Sequence, residues 1–147
     1  MISKNKLICC IVFMLYVAII LRLTIFRFNS LDERLLNLTL FIDLIDVYKN
    51  VGIYRFLWLF LGNIGWFVPF GFLMPMLLNR ERFLKIIILG FAFSFTIESL
   101  QFIFRLGVAE LDDLILNTFG TAIGYLVFKL KKNYCYKESK IIYFNRI

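Results

Sequence analysis

The chain has 147 residues, enough for one domain, and 61% of them are hydrophobic with a mean hydropathy of +0.82, more apolar surface than a soluble fold can hide. The surplus must face lipid. The net charge of +7 sits in short basic blocks beside apolar runs, where membrane topology requires it, so nucleic-acid binding is set aside.

Basic residues Lys4 and Lys6 precede the first apolar run, which ends near Arg22 with no A-x-A-like site after it, so it reads as a retained anchor and not a cleaved leader. Four spans are predicted, at residues 7–26, 56–78, 83–104 and 112–130, each near the roughly 20 residues that cross a hydrocarbon core. The fourth carries Asn117, Thr118 and Thr121 and is the least apolar, as expected of a helix surrounded by protein more than by lipid. Residues 131–147 form a basic tail. Lys4, Lys6, Arg80, Arg82, Lys85, Lys129, Lys131, Lys132, Lys137, Lys140 and Arg146 fall on one side of the spans. Only Arg27, Arg34, Lys49, Arg55 and Arg105 fall on the other, among seven acids. The richer side is cytoplasmic. The expected fold is an all-α, polytopic four-helix bundle with both termini inside and an extracytoplasmic amphipathic segment between the first two spans.

That segment, residues 29–55, is too long for a simple turn. Leu35, Leu38, Ile42 and Ile45 recur in it at helical spacing opposite Asn37, Asp43 and Asp46, a pattern that suits an interfacial amphipathic helix or an irregular loop packed over the bundle. In the second span Pro69 and Pro75 each free the carbonyl four residues earlier, at Gly65 and Gly71. A kink or local opening is expected there, and the Gly65 carbonyl is placed to join a site beside Asn63.

The third span carries Ser94, Glu98, Gln101 and Arg105 at spacings of four, three and four, so they share one stripe. The fourth repeats this with Asp113, Asn117, Gly120 and Gly124. Two polar stripes in an apolar bundle should face each other. At about 1.5 Å per residue Glu98 lies roughly 9 Å and Asn117 roughly 5 Å below the outer boundary, a layer that Asn63 and Arg22 also reach. Glu98 is expected to pair with Arg22 or Arg105, because a lone ionised carboxylate at that depth costs several kcal/mol or protonates. The candidate ligand-binding cluster is Asn63, Glu98, Gln101, Arg105, Asp112, Asp113 and Asn117, supported by Arg22, Glu110, Pro69, Gly71, Gly120 and Gly124. Some of these groups serve as interhelical glue. Gly120 and Gly124 in particular form a small-residue pair suited to close approach of the third span.

Histidine is absent, and Cys9, Cys10 and Cys135 have no zinc-like spacing. No metal and no cofactor is expected, and no phosphate loop, nucleophile elbow or catalytic cysteine is present.

The segment from Gly62 to Phe72, with Asn63, Phe67, Pro69, Phe70 and Gly71, resembles the N-x-x-x-F-x-P-F-G element of VanZ-like membrane proteins. Glu98 and Gln101 match that family's E-x-x-Q. Leu111-Asp112-Asp113-Leu114 with Asn117 and Gly120 match its D-D-L-x-x-N-x-x-G run, and Arg105 stands where the family has an arginine. Two departures are visible: Glu110 replaces an aspartate before the acidic pair, and Asn37-Leu38-Thr39-Leu40-Phe41 lacks the proline of an N-L-x-P-F element. The resemblance implies a bacterial cell-membrane protein of the cell envelope. It also implies a link to glycopeptide resistance, teicoplanin in particular. Expected partners are membrane lipids, a lipid-linked wall precursor or the antibiotic. Two other classes fit the residues: an enzyme using Glu98 or Asp113 as acid or base with Arg105 on a phosphate, and a proton or cation transporter through hard oxygen ligands. The inner halves of the spans hold almost no ionisable residue to continue a transport path.

The charge bias makes the topology testable. Reporter fusions after Lys132 and within residues 80–85 should report cytoplasm and a fusion at Asn50 the exterior; an exterior signal from the tail fusion overturns the orientation.

Overall fold

The structure is a computed structural model whose described residues are 4–24, 31–78 and 82–144, the last eight by backbone alone. Arg27, Asn29, Arg80 and Arg146 of the sequence reading, with the end of the first span, lie outside the described residues. The elements in order are α1 (Lys4–Thr24), β1 (Leu35–Asn37), α2 (Ile42–Asn50), α3 (Ile53–Leu78), α4 (Phe83–Phe104), β2 (Val108–Glu110) and α5 (Leu111–Phe144). Four helices, α1, α3, α4 and α5, are long and apolar enough to cross a membrane, so the protein is a multi-pass, all-α membrane protein.

The spans differ in how much protein surrounds them. Buried positions make up 11% of the α1 span and 44% of the α5 span, so α5 is the central helix, as its polar content predicts. Leu7, Ile11, Met14 and Leu15 of α1 stay uncovered and face lipid. The inner packing is aromatic. Ile20, Phe67, Phe70 and Ile97 form a buried cluster joined by Phe13 and Phe93. Phe70 and Phe93 stack with ring centroids 5.3 Å apart, which binds α3 to α4.

The central contact is between α3 and α5. A Cβ built on Gly120 would strike the Ile64 carbonyl, one on Gly124 the Val68 carbonyl, and one on Gly71 the Thr121 carbonyl. Only glycine allows backbones this close. The partner of the Gly120–Gly124 pair is therefore α3 and not α4, against expectation. Spacing alone shows that the two glycines share a face, not which neighbour that face meets. On the α4 side, Gly90 receives the Thr121 side chain.

α3 runs unbroken across Pro69 and Pro75. The Tyr16 hydroxyl of α1 donates to the Trp66 carbonyl at 2.8 Å, three residues before Pro69. α5 continues through the start of the basic tail to Phe144.

The segment after α1 departs from the expected helix. Leu35 to Asn37 pairs in parallel with Val108 to Glu110, and the helix begins only at Ile42. The cause is local. Asn37 Oδ1 accepts the Thr39 N–H at 3.0 Å and the Thr39 hydroxyl at 2.5 Å, while Asn37 Nδ2 donates to Asp43 Oδ2 at 2.5 Å, a side-chain turn that competes with helix. α2 seats Leu44 against Ile64 and Leu116 at the end of the α3–α5 seam. Ile42 and Ile45 stay uncovered, as an interfacial helix requires.

Gly124→Ala should destabilise the protein in detergent by the cost of overpacking, about 1 to 3 kcal/mol, read as a lower melting temperature. Gly62→Ala, where nothing lies within 4 Å of the added Cβ, should be neutral or slightly stabilising. Equal losses in the two variants would show that the glycine seam does not set stability.

Candidate functional site

The polar residues collect at the end of the bundle where α1 and α4 finish and α3 and α5 begin. α4 closes on Arg105, which takes a left-handed φ of 59° and sends its N–H to the Gln101 and Phe102 carbonyls. The Leu106 N–H joins the Gln101 carbonyl at 2.9 Å. This cap turns the chain into β2 and directly into α5. Asp112 and Asp113 thereby occupy the first turn of α5, where the helix dipole favours negative charge.

The two predicted stripes meet. Asn117 Nδ2 donates to Ser94 Oγ at 2.9 Å in a buried bond from α5 to α4. Asn63 of α3 reaches across to α5, its Nδ2 donating to Asp113 Oδ1. Gln101 Nε2 donates to the Thr24 carbonyl at 3.2 Å, tying α4 to the last residue of α1. All four spans thus converge on one layer.

Between them lies a cavity of about 220 Å³, whose polar lining is Asn63, Glu98, Gln101, Asp113, Asn117 and Thr24. Its apolar wall comes from Ile20, Leu23, Trp66, Phe67 and Ile97. Five of the seven predicted cluster residues line this one space.

The other two do not. Asp112, 3% exposed, accepts the Phe41 N–H with both carboxylate oxygens, at 2.9 and 3.0 Å. That bond holds the left-handed Phe41 and the start of α2 onto α5. Arg105 is exposed and its Nη1 donates to the Asp32 carbonyl at 3.1 Å. Of the two arginines expected to pair with Glu98, Arg105 is turned away, because the left-handed cap carries it out of the α4 stripe. Glu98 Oε2 accepts the Glu110 N–H at 2.9 Å, anchoring β2 to α4. Glu110 contributes this backbone donor. Arg22 is exposed on the last turn of α1.

Gly65 lines an open groove along α3 with Trp58, Leu61, Gly62, Asn63 and Trp66, and Asn63 and Trp66 also line the cavity. Gly71 supports it indirectly, by receiving the Thr121 carbonyl of α5; Pro69 lies in α3 and is not among the residues that line the cavity. Sequence spacing missed Thr24, Trp66 and Phe67. The Thr24 contribution to Gln101 is a backbone carbonyl, which no side-chain pattern signals. Among the described residues, no group of three or more acidic or cysteine side chains is placed to hold a metal.

The fold and site define a multi-pass helical membrane protein with a cavity, polar on one wall and apolar on the other, near one end of its bundle. The chain belongs to the VanZ/LLP1 family, which it matches over residues 8–132. It is 31% identical over 74 residues to Protein VanZ of Enterococcus faecium, a stretch that is 50% of this chain and 46% of that protein. The match thus spans about half the length of this relative. No solved structure matches the chain.

The Asp112 clamp is testable. Asp112→Ala leaves the Phe41 N–H without its acceptor and should cost about 1 to 3 kcal/mol, with faster hydrogen exchange in α2. Asp112→Asn keeps one acceptor oxygen and should cost less; an α2 that exchanges identically in both variants and the parent would remove this role.

Proposed function

We propose that the protein is a cell-envelope membrane protein that binds an extracytoplasmic ligand in the cavity between α1, α3, α4 and α5. Through that binding it contributes to glycopeptide susceptibility, teicoplanin in particular. The membrane is the bacterial cytoplasmic membrane, with the cavity in its outer half, as the charge bias of the loops favours. Candidate ligands are a membrane lipid, a lipid-linked wall precursor or the antibiotic. Family membership supports the link to resistance.

One observation carries the binding reading: Asn63, Glu98, Gln101, Asp113 and Asn117 arrive from three helices and leave a space between them. Groups kept only to join helices would close on one another, since dry packing is the stronger glue in lipid. A space lined by polar groups on one side and by Trp66 and Phe67 on the other is the usual form of a small-molecule site.

Asp113 separates a binding role from a structural one. It is partly exposed at the start of α5, and in Asp113→Asn the new amide can still accept from Asn63 Nδ2. The stability cost should be about 1 kcal/mol or less. Expressed in a sensitive host at parental levels, this variant should abolish any change in teicoplanin susceptibility. Gly120→Leu should lose expression and phenotype together. Full phenotype from Asp113→Asn at normal expression removes the cavity as the functional site.

A further inference from the structure

Beside the cavity, α3 carries an open groove lined by Tyr54, Leu57, Trp58, Leu61, Gly62 and Gly65. Tyr54, Leu57, Trp58 and Leu61 are exposed, although they belong to a helix long and apolar enough to cross a membrane. The bilayer is what meets them. A Cβ built on Gly62 or Gly65 finds nothing within 4 Å among the described residues, so these two positions leave the groove open. Asn63 and Trp66 line both the groove and the cavity. The two spaces therefore adjoin, and the cavity has a side toward lipid.

Hydrogen bonds fix the level of that side. Asn63 bonds Asp113 in the first turn of α5, and Gln101 bonds Thr24, the last residue of α1. The cavity thus lies just inside the ends of those helices. α3 begins at Ile53 and, at about 1.5 Å per residue, rises roughly 15 Å beyond Asn63. The groove runs from Tyr54 and Trp58, residue types that settle at the membrane interface, to Trp66 at its inner end. A lipid standing in that leaflet brings its polar end to the level of Asn63 and its chain to the level of Trp66.

Size and hydrogen bonding narrow the occupant. At about 220 Å³ the cavity is smaller than the roughly 300 to 1,000 Å³ of sites that enclose a whole drug-sized ligand. It takes a small polar group and leaves the rest of the molecule outside. Asn63, Gln101 and Asn117 each keep a second N–H beyond the one given to a helix contact, and the asparagine carbonyls add acceptors. A hydroxyl or an amide, which both donates and accepts, suits such a wall. We propose that groove and cavity together hold one lipid of the surrounding leaflet, its small hydroxyl- or amide-bearing head in the cavity and its hydrocarbon chain along α3 beside Trp66. The inference rests on the reading of the cavity as a binding site, and it adds that the occupant enters sideways from the bilayer.

The test uses the two tryptophans of the chain, Trp58 and Trp66, which both line the groove and lose fluorescence when bromine is near. The full chain in phosphatidylcholine nanodiscs receives a monoacylglycerol with a brominated chain, or the methyl ester of the same chain, which has no hydroxyl. Quenching should show a roughly fivefold or greater preference for the monoacylglycerol, the gain expected from one net hydrogen bond or more. Glycerol in the buffer, the head without a chain, should not displace it. Gly65→Leu fills open space, so it should keep the parental melting temperature and lose the preference. Gly62→Leu serves if Gly65→Leu fails to fold. Equal quenching by the two probes, or a preference unchanged in both glycine variants, would overturn the proposal. Displacement by glycerol would overturn it as well, because it would show a cavity filled from water, and it would leave the binding reading standing. That reading fails separately, through a full susceptibility phenotype in Asp113→Asn.

Discussion

Polar side chains sit deep in this bundle only because α3 and α5 meet backbone to backbone. Lipid offers no hydrogen-bond partner, so an amide at bilayer depth must find one on a neighbouring helix. Gly120 against Ile64, Gly124 against Val68 and Gly71 against Thr121 bring the two helices to a separation that any larger residue would forbid. That separation lets the short Asn63 side chain reach Asp113 across the seam. It also fixes the rotation of α5, so that Asn117 points at Ser94 of α4. If the seam opened by the width of a methyl group, these bonds would lengthen beyond use. The polar layer is a consequence of the glycine contact.

The acidic residues divide into two kinds of work. Asp112 and Glu98 each accept a backbone N–H from an irregular segment, Phe41 before α2 and Glu110 in β2. In a soluble protein water would satisfy many such donors. At the membrane face, carboxylates do so, and the short parallel pairing of β1 with β2 covers the end of the bundle as a result. Glu98 belongs to both kinds, since it anchors β2 and lines the cavity. Asp113 is held by Asn63 at the cavity wall.

Much of this was legible in the sequence. The four spans, the central position of α5 and the meeting of the Ser94 and Asn117 stripes follow from apolar run lengths and from polar spacing of three and four, signals that survive folding because they are properties of single helices. What spacing could not carry was the identity of a neighbour. The Gly120–Gly124 face was legible, but its partner α3 was not. Three-residue strands have no period to detect, so Leu35 and Leu38 counted toward a helix that Asn37 prevents by forming its own turn. Arg105 followed the α4 stripe on paper, yet one residue with φ of 59° takes it to the Asp32 carbonyl. Asp112 looked like its neighbour Asp113. A helix turns about 100° between consecutive residues, which sends one to the Phe41 N–H and the other to the cavity.

The same turn explains why a polar layer need not be an indifferent one. Asn63, Gln101 and Asn117 each carry two N–H donors and a carbonyl oxygen, and one donor of each is held by a helix contact: the acceptors they meet are a carboxylate, the last carbonyl of α1 and a hydroxyl. Helix termini favour this outcome. The final carbonyls of α1 and α4 point toward this end of the bundle without an intrahelical partner, and they draw amide nitrogens to themselves. Thr24 does so with Gln101, and the remaining face of Gln101 turns its oxygen away from that bond. The chemistry of the cavity follows from how the helices are tied and not only from which polar residues line it.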